Sequence, residues 1–276
     1  MSVARISGRF AALKAEGRAA FIPYVVAGDP DAASAWRILE GLPAAGADLI
    51  ELGLPFSDPM ADGPAIQRGA ARALAEGMTV AGVLELVRRF RAGDSVTPII
   101  LMGYFNPILS YGLDAFAKAA GEAGVDGLIM VDVPPEEAGP LSFALEARDI
   151  ALIRLATPTT DAARLTTVAS QTQGFVYFVA VTGVTGAKEA DAAAIAADVG
   201  RVRAACALPV AVGFGIRTPD RAAEVARIAD AAVVGSALVE TIAQEIAIKR
   251  DPVPKVLDTA AAMAQAVRSA RVSSWP

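Results

Sequence analysis

Short apolar runs recur along the chain, each closed by glycine, proline or a small polar residue. Between them lie longer stretches in which apolar positions return every three or four residues. The runs fall at 21–26, 49–52, 98–102, 127–131, 151–155, 174–179, 208–212 and 231–234. They are short and mostly apolar rather than alternating, so they read as strands buried on both faces. The longer stretches read as helices over 3–16, 32–42, 65–74, 80–91, 113–123 and 135–146, then from about 160, 191, 218 and 237. Pro135 followed by Glu136 and Glu137 suits a first helical turn. Asp251-Pro252-Val253-Pro254 breaks the C-terminal helical region before a last helix. Eight alternations of strand and helix predict an α/β fold over 1–276 as a single domain. The expected form is a (β/α)8 TIM barrel with an extra N-terminal helix and extra helices near the C-terminus. A doubly wound open sheet is the alternative, weakened because no Gly-x-Gly-x-x-Gly turn follows the first run.

Composition narrows the chemistry. Hydrophobic residues make up 54% and charged residues 20% of the 276, which excludes disorder and allows a large core. Neither an apolar run of membrane-spanning length nor a signal-peptide h-region is apparent, so no membrane association is expected. Cys206 is the one cysteine, which rules out an internal disulfide and fits a reducing cytoplasm. A net charge of −5 argues against a nucleic-acid partner. The chain has no histidine, which removes the commonest general base and the commonest metal ligand. No metal site is expected, since zinc would have to rest on carboxylates. Lys14, Lys118, Lys188, Lys249 and Lys255 all fall outside the predicted strands, so a buried Schiff-base lysine is not expected. Acid/base work must fall to Asp, Glu or Tyr.

Active sites of such barrels lie at the C-terminal ends of the strands. Glu51 sits there, a carboxylate inside the run Asp48-Leu49-Ile50-Glu51-Leu52-Gly53. Behind it comes a stiff acidic loop, Leu54-Pro55-Phe56-Ser57-Asp58-Pro59-Met60-Ala61-Asp62-Gly63-Pro64. An acid/base site is one reading; an ion pair to a distant arginine is the other. Asn106, Asp132 and Tyr177 also fall at strand ends, though Tyr177 alone reads equally as core. Gly213-Phe214-Gly215 and Gly235-Ser236 follow the last two strands, where this fold often binds phosphate. Their backbone amides can approach an anion, and Ser236 opens a helix. Tight turns that need glycine are the alternative. Thr182 to Lys188 is small-residue-rich and suits a lid or an ordinary loop. Met102, Tyr104, Leu128 and Phe214 are candidates for an apolar pocket or for barrel packing.

At these residues the sequence resembles the tryptophan synthase alpha-subunit family. The resemblance runs unbroken from Ile50 to Gly63. It includes Phe21-Ile22-Pro23-Tyr24, Gly28-Asp29-Pro30, Asp132-Val133-Pro134, Gly183-Val184-Thr185-Gly186, Gly213-Phe214-Gly215-Ile216 and Gly235-Ser236-Ala237. It implies cleavage of indole-3-glycerol phosphate to indole and glyceraldehyde 3-phosphate. It implies Glu51 and Asp62 as catalytic carboxylates, and Tyr177 and Thr185 as their support. Gly186, Gly213, Gly235 and Ser236 fall at phosphate-binding positions, and Met102, Tyr104, Leu128 and Phe214 are expected around the indole. A beta subunit in an alpha2beta2 tetramer is the implied partner; pyridoxal phosphate is expected there and no cofactor in this chain. Ala180-Val181-Thr182 departs from relatives that carry polar or basic residues. The inventory of residues agrees with this reaction. A retro-aldol cleavage needs an electron sink, and an indole protonated at C3 provides its own. Other phosphate-binding barrels, such as sugar-phosphate isomerases, commonly use His, Lys or a metal. A subunit that only binds ligand and activates a partner is the other competing reading.

Overall fold

A computed structural model describes residues 2–180, 191–213 and 215–271. The strands are β1 (Ala20–Val26), β2 (Ile50–Gly53), β3 (Ile99–Gly103), β4 (Gly127–Met130), β5 (Ala151–Ile153), β6 (Leu155–Ala156), β7 (Val176–Val179), β8 (Val210–Gly213) and β9 (Ala231–Val234). All pairings are parallel, in the order β5-β4-β3-β2-β1-β9-β8-β7-β6. The expected strand at 151–155 is interrupted at Arg154. Its first half pairs with β4 and its second with β7, so one stave of the barrel changes partners partway along.

The helices are α1 (Ser2–Ala15), α2 (Ala32–Gly41), α3 (Pro64–Ala75), α4 (Val80–Gly93), α5 (Phe105–Tyr111), α6 (Leu113–Ala123), α7 (Gly139–Glu146), α8 (Ala162–Ser170), α9 (Ala192–Ala205), α10 (Pro219–Ile228), α11 (Ser236–Ala247) and α12 (Pro252–Ser269). The expected helix at 135–146 divides into a 3-10 turn, Pro135–Glu137, and α7. Helix α5 was not anticipated. Its segment, Phe105-Asn106-Pro107, reads locally as a turn, yet Pro107 falls in the first helical turn, where its missing N–H costs nothing. The Asp251 carboxylate accepts from Val253 N and caps α12, with Pro252 at its first position.

Strand alternation divides the core in two. Ile50, Leu52, Ile99, Leu101, Leu128, Val176, Phe178 and Val212 face outward against the helices. Ile22, Leu49, Ile100, Met102, Ile129, Tyr177, Ala211 and Val233 face inward. The lower end of this interior is closed by α1. Ile6, Phe10 and Leu13 form the buried stripe of that helix, and Phe10 packs on Phe175 with ring centroids 5.6 Å apart.

Three aspartates pin the strands at this end. Asp48 N donates to Phe21 O at 2.9 Å, and its carboxylate accepts from Phe21 N at 2.8 Å. Asp126 does the same with Ile99, at 2.9 and 2.8 Å, and Asp230 with Val210, at 2.9 and 2.9 Å. Arg5 and Arg9, one helical turn apart on α1, reach Asp126 and Asp48. Arg91 also pairs with Asp126, and Arg18 with Asp48 at 2.9 Å. The lower end is thus sealed by apolar packing and paired charge. The upper end, where the strands finish, is the one that can take a ligand.

Candidate active site

Glu51 lies on β2 between Ile50 and Leu52, which both face the helices, so its side chain points into the barrel. It is 2% exposed, and its Oε1 has no hydrogen-bond partner among the described residues. Among the described residues no arginine pairs with it, which removes the distant ion pair as an explanation. Burial first, and the charge of Asp62 second, push Glu51 up to about 8.

The acidic loop brings Asp62 to the same cleft, just ahead of α3. Gln67 Nε2 donates to Asp62 O at 2.9 Å, and Asp62 N donates to Pro59 O at 3.1 Å. Tyr104, at the start of α5, accepts from Ala61 N at 3.0 Å and packs on Phe56 at 5.4 Å between centroids. Burial raises Asp62 to about 6, against a hydrogen bond with the Tyr104 side chain that lowers it. Two carboxylates facing one cleft therefore have different proton affinities, the arrangement that separates an acid from a base.

Tyr177, Met102 and Val233 line the cleft from inside the barrel, and Gly235 and Ser236 line it from the turn before α11. Leu238 N and Val239 N turn back to Gly235 O at 2.9 and 3.2 Å. The amides of Ser236 and Ala237 are left at the positive end of a twelve-residue helix. Burial first, and then Glu51, hold the Tyr177 phenol well above its ordinary range. Asp132 lies apart from the cleft, with its carboxylate accepting from Phe105 N at 2.9 Å.

A model of the family described as tryptophan synthase alpha chain matches residues 10–268. The tryptophan synthase alpha chain of Phenylobacterium zucineum (strain HLK1) is 64% identical over 273 residues, 99% of either chain. That of Caulobacter vibrioides (strain NA1000 / CB15N) is 64% identical over 274 residues, 99% of this chain and all of that one. This chain belongs to the tryptophan synthase alpha chain family. Among solved structures, tryptophan synthase subunit alpha from Legionella pneumophila str. Paris superposes with a TM-score of 0.90 at 41% identity, covering 96% of this chain and 98% of that one. A tryptophan synthase structure from Mycobacterium tuberculosis reaches 0.87 at 36% identity, covering 96% and 98%.

Not every residue expected around the family's site lies there. Leu128 is the clear departure. It is fully buried on β4 but faces the helix layer, because strand alternation turns its neighbour Ile129 inward instead. Gly213 owes its missing side chain to Tyr177, whose Oη lies 2.0 Å from where a Cβ would sit. Of the two glycines in that turn it is Gly215 that borders the cleft, at a left-handed φ of +79°. Thr185, Gly186, Phe214 and the rest of the loop from Thr182 to Lys188 lie outside the described residues.

Tyr24, Ile66, Ile216 and Val233 line the cleft without having been anticipated. Tyr24 was legible in principle: with Ile22 facing inward, the residue two further along β1 does too, and it pairs in register with Glu51. Among the described residues no three of His, Cys, Asp and Glu gather closely enough to hold a metal ion. No helix among them is long and apolar enough to cross a membrane.

Proposed function

We propose that the chain is a carbon–carbon lyase that cleaves indole-3-glycerol phosphate to indole and glyceraldehyde 3-phosphate. The observation that carries this reading is Glu51, buried and unpartnered, raised to about 8 beside an Asp62 raised only to about 6. At neutral pH Glu51 holds a proton and Asp62 is largely ionised. Glu51 delivers its proton to C3 of the indole, and the ring nitrogen takes up the positive charge. Asp62 stabilises that nitrogen through its N–H. The Glu51 carboxylate then takes the proton of the hydroxyl on the adjacent chain carbon. That oxygen becomes the aldehyde, the carbon–carbon bond breaks, and its electron pair returns to the ring. Glu51 ends protonated as it began, so no net proton is consumed.

The phosphate group is assigned to the amides at Gly235 and Ser236 and the turn at Gly215, with Gly213 behind them and Gly186 contributed from the loop after β7. Met102, with Tyr104 and Phe214, supplies apolar surface for the indole, and Tyr177 and Thr185 support the closed site. The family's name supports a beta subunit as partner, in an alpha2beta2 assembly with pyridoxal phosphate on the partner's side only. Release of an apolar indole into such a partner, in the cytoplasm, fits a cleft set at one end of a closed barrel. The decisive measurement is indole release from indole-3-glycerol phosphate by the isolated chain. A folded chain that binds the substrate without releasing indole would show a binding subunit instead of a lyase.

A further inference from the structure

Two side chains among the described residues carry a buried polar atom with no hydrogen-bond partner: Glu51 at Oε1 and Arg154 at Nε. Glu51 relieves its burial by holding a proton. Arg154 cannot do the equivalent, because a guanidinium does not give up its proton in a protein. Five charged side chains are buried among the described residues: Asp29, Asp48, Glu51, Asp126 and Arg154. Three of them are paired, Asp29 with Arg72, Asp48 with Arg9 and Arg18, and Asp126 with Arg5 and Arg91. Arg154 is 4% exposed and has no carboxylate within ion-pair distance among the described residues. An uncompensated charge in that position is costly.

Arg154 stands where the stave breaks between β5 and β6. Ala151 and Ile153 face into the barrel, so Arg154 is turned toward the helices, away from the Glu51 cleft. Nη1 donates to Val133 O at 3.3 Å and Nη2 to Gln171 Oε1 at 3.4 Å, both near the limit for such bonds. The acid whose charge acts on it is Glu136, exposed and already paired with Arg164. Beside the guanidinium opens a cleft of about 280 Å³, with Met130, Leu155 and Val168 as apolar wall and Asp132, Thr160 and Arg164 at its polar edge.

We propose that this cleft binds a small oxyanion of phosphate or sulfate size on the Arg154 guanidinium, with Arg164 as second cation. Each Nη nitrogen carries two N–H groups, and one long bond apiece leaves donor capacity for an oxyanion oxygen. Nη1 stays on Val133, next to Asp132, whose carboxylate holds Phe105 N. A bound anion would therefore also brace the loop that follows β4.

The test uses the full chain and two probes. Crystals soaked in selenate should give an anomalous peak within hydrogen-bond distance of the Arg154 guanidinium. In solution, melting temperature is followed across a phosphate series at constant ionic strength, in a Gly235→Val background that crowds the other phosphate position. Arg154→Met should melt no lower than its parent without phosphate, since it removes a buried unpaired charge, and should lose the phosphate-dependent rise. If that variant does not fold, Arg154→Lys keeps the charge without the planar guanidinium donors. It should weaken the apparent phosphate affinity at least about tenfold. No selenate at Arg154, or a phosphate response that survives either substitution unchanged, overturns the proposal.

Discussion

Asp126 and Glu51 lie at opposite ends of one barrel, both nearly without exposed surface. Asp126 accepts from Ile99 N and faces Arg5 and Arg91. Glu51 sits on a strand of the same sheet with one oxygen that finds no partner among the described residues. The same functional group is structural in the first place and chemically poised in the second. The difference is the surroundings. At the lower end helix α1 closes the interior and carries the arginines. At the upper end the loops leave a cleft, and no cation enters it among the residues that line it. Burial raises both carboxylates, Asp126 to about 6 and Glu51 to about 8. At Asp126, Arg91, the Ile99 N–H and Arg5 pull against that rise; at Glu51 the charge of Asp62 adds to it, so that Glu51 can carry a proton at neutral pH.

Exchanging the carboxylates for their amides should break this comparison in opposite ways. Asp126→Asn leaves two arginines facing a neutral group and should cost about 3 to 5 kcal/mol of stability, the usual penalty for breaking a buried pair. The activity of the molecules that remain folded should not change. Chemical denaturation and active-site-normalised turnover would check both halves. Glu51→Gln should do the reverse, keeping the fold and losing cleavage by a factor on the order of 10² or more. Near-normal turnover in a folded Glu51→Gln chain would remove Glu51 from the mechanism.

The fold was legible because it rests on repetition. Eight apolar runs, each followed by a helical period, leave few topologies, and the end of each run marks the end of the barrel where a site is expected. Glu51 stood out since a carboxylate in such a run has no ordinary place. Other features depend on tertiary context. Leu128 and Ile129 are equally apolar, and only the sheet decides which faces inward. Arg154 reads as one more residue of a strand, although the stave changes partners there. The aspartates at 48, 126 and 230 each precede a strand, but nothing local says that each clamps the strand beside it.

Stability against pH sharpens the comparison further. Unfolded, Glu51 titrates near its ordinary value of 4.5; folded, near 8. Below 4.5 both states hold the proton and Glu51 favours neither. Between the two values only the native state holds it, so stability falls as pH rises, by about 1.4 kcal/mol per unit at most, and levels off above 8. Asp62 contributes with the same sign between its ordinary 3.8 and about 6. Glu51→Gln, permanently neutral, should therefore gain on the wild type steadily from pH 5 to 8. Melting curves at matched ionic strength that ran parallel over this range would show that Glu51 is not held protonated.

The smallest expected effect is at Tyr104. Its hydroxyl accepts from Ala61 N and hydrogen-bonds Asp62, which lowers the Asp62 pKa against the rise caused by burial. Tyr104→Phe keeps the ring against Phe56 and removes only that hydroxyl, at about 1 kcal/mol of stability or less. If Asp62 must be ionised and Glu51 protonated in the free enzyme, kcat/KM should be bell-shaped, with limbs near 6 and 8. Without the hydroxyl, Asp62 should hold its proton more tightly. The acid limb should move to higher pH and the alkaline limb, set by Glu51, should stay nearly in place. A uniform drop in rate at every pH would assign Tyr104 a packing role only. A shift confined to the acid limb would identify Asp62 as the group that must be ionised, separately from the evidence on Glu51.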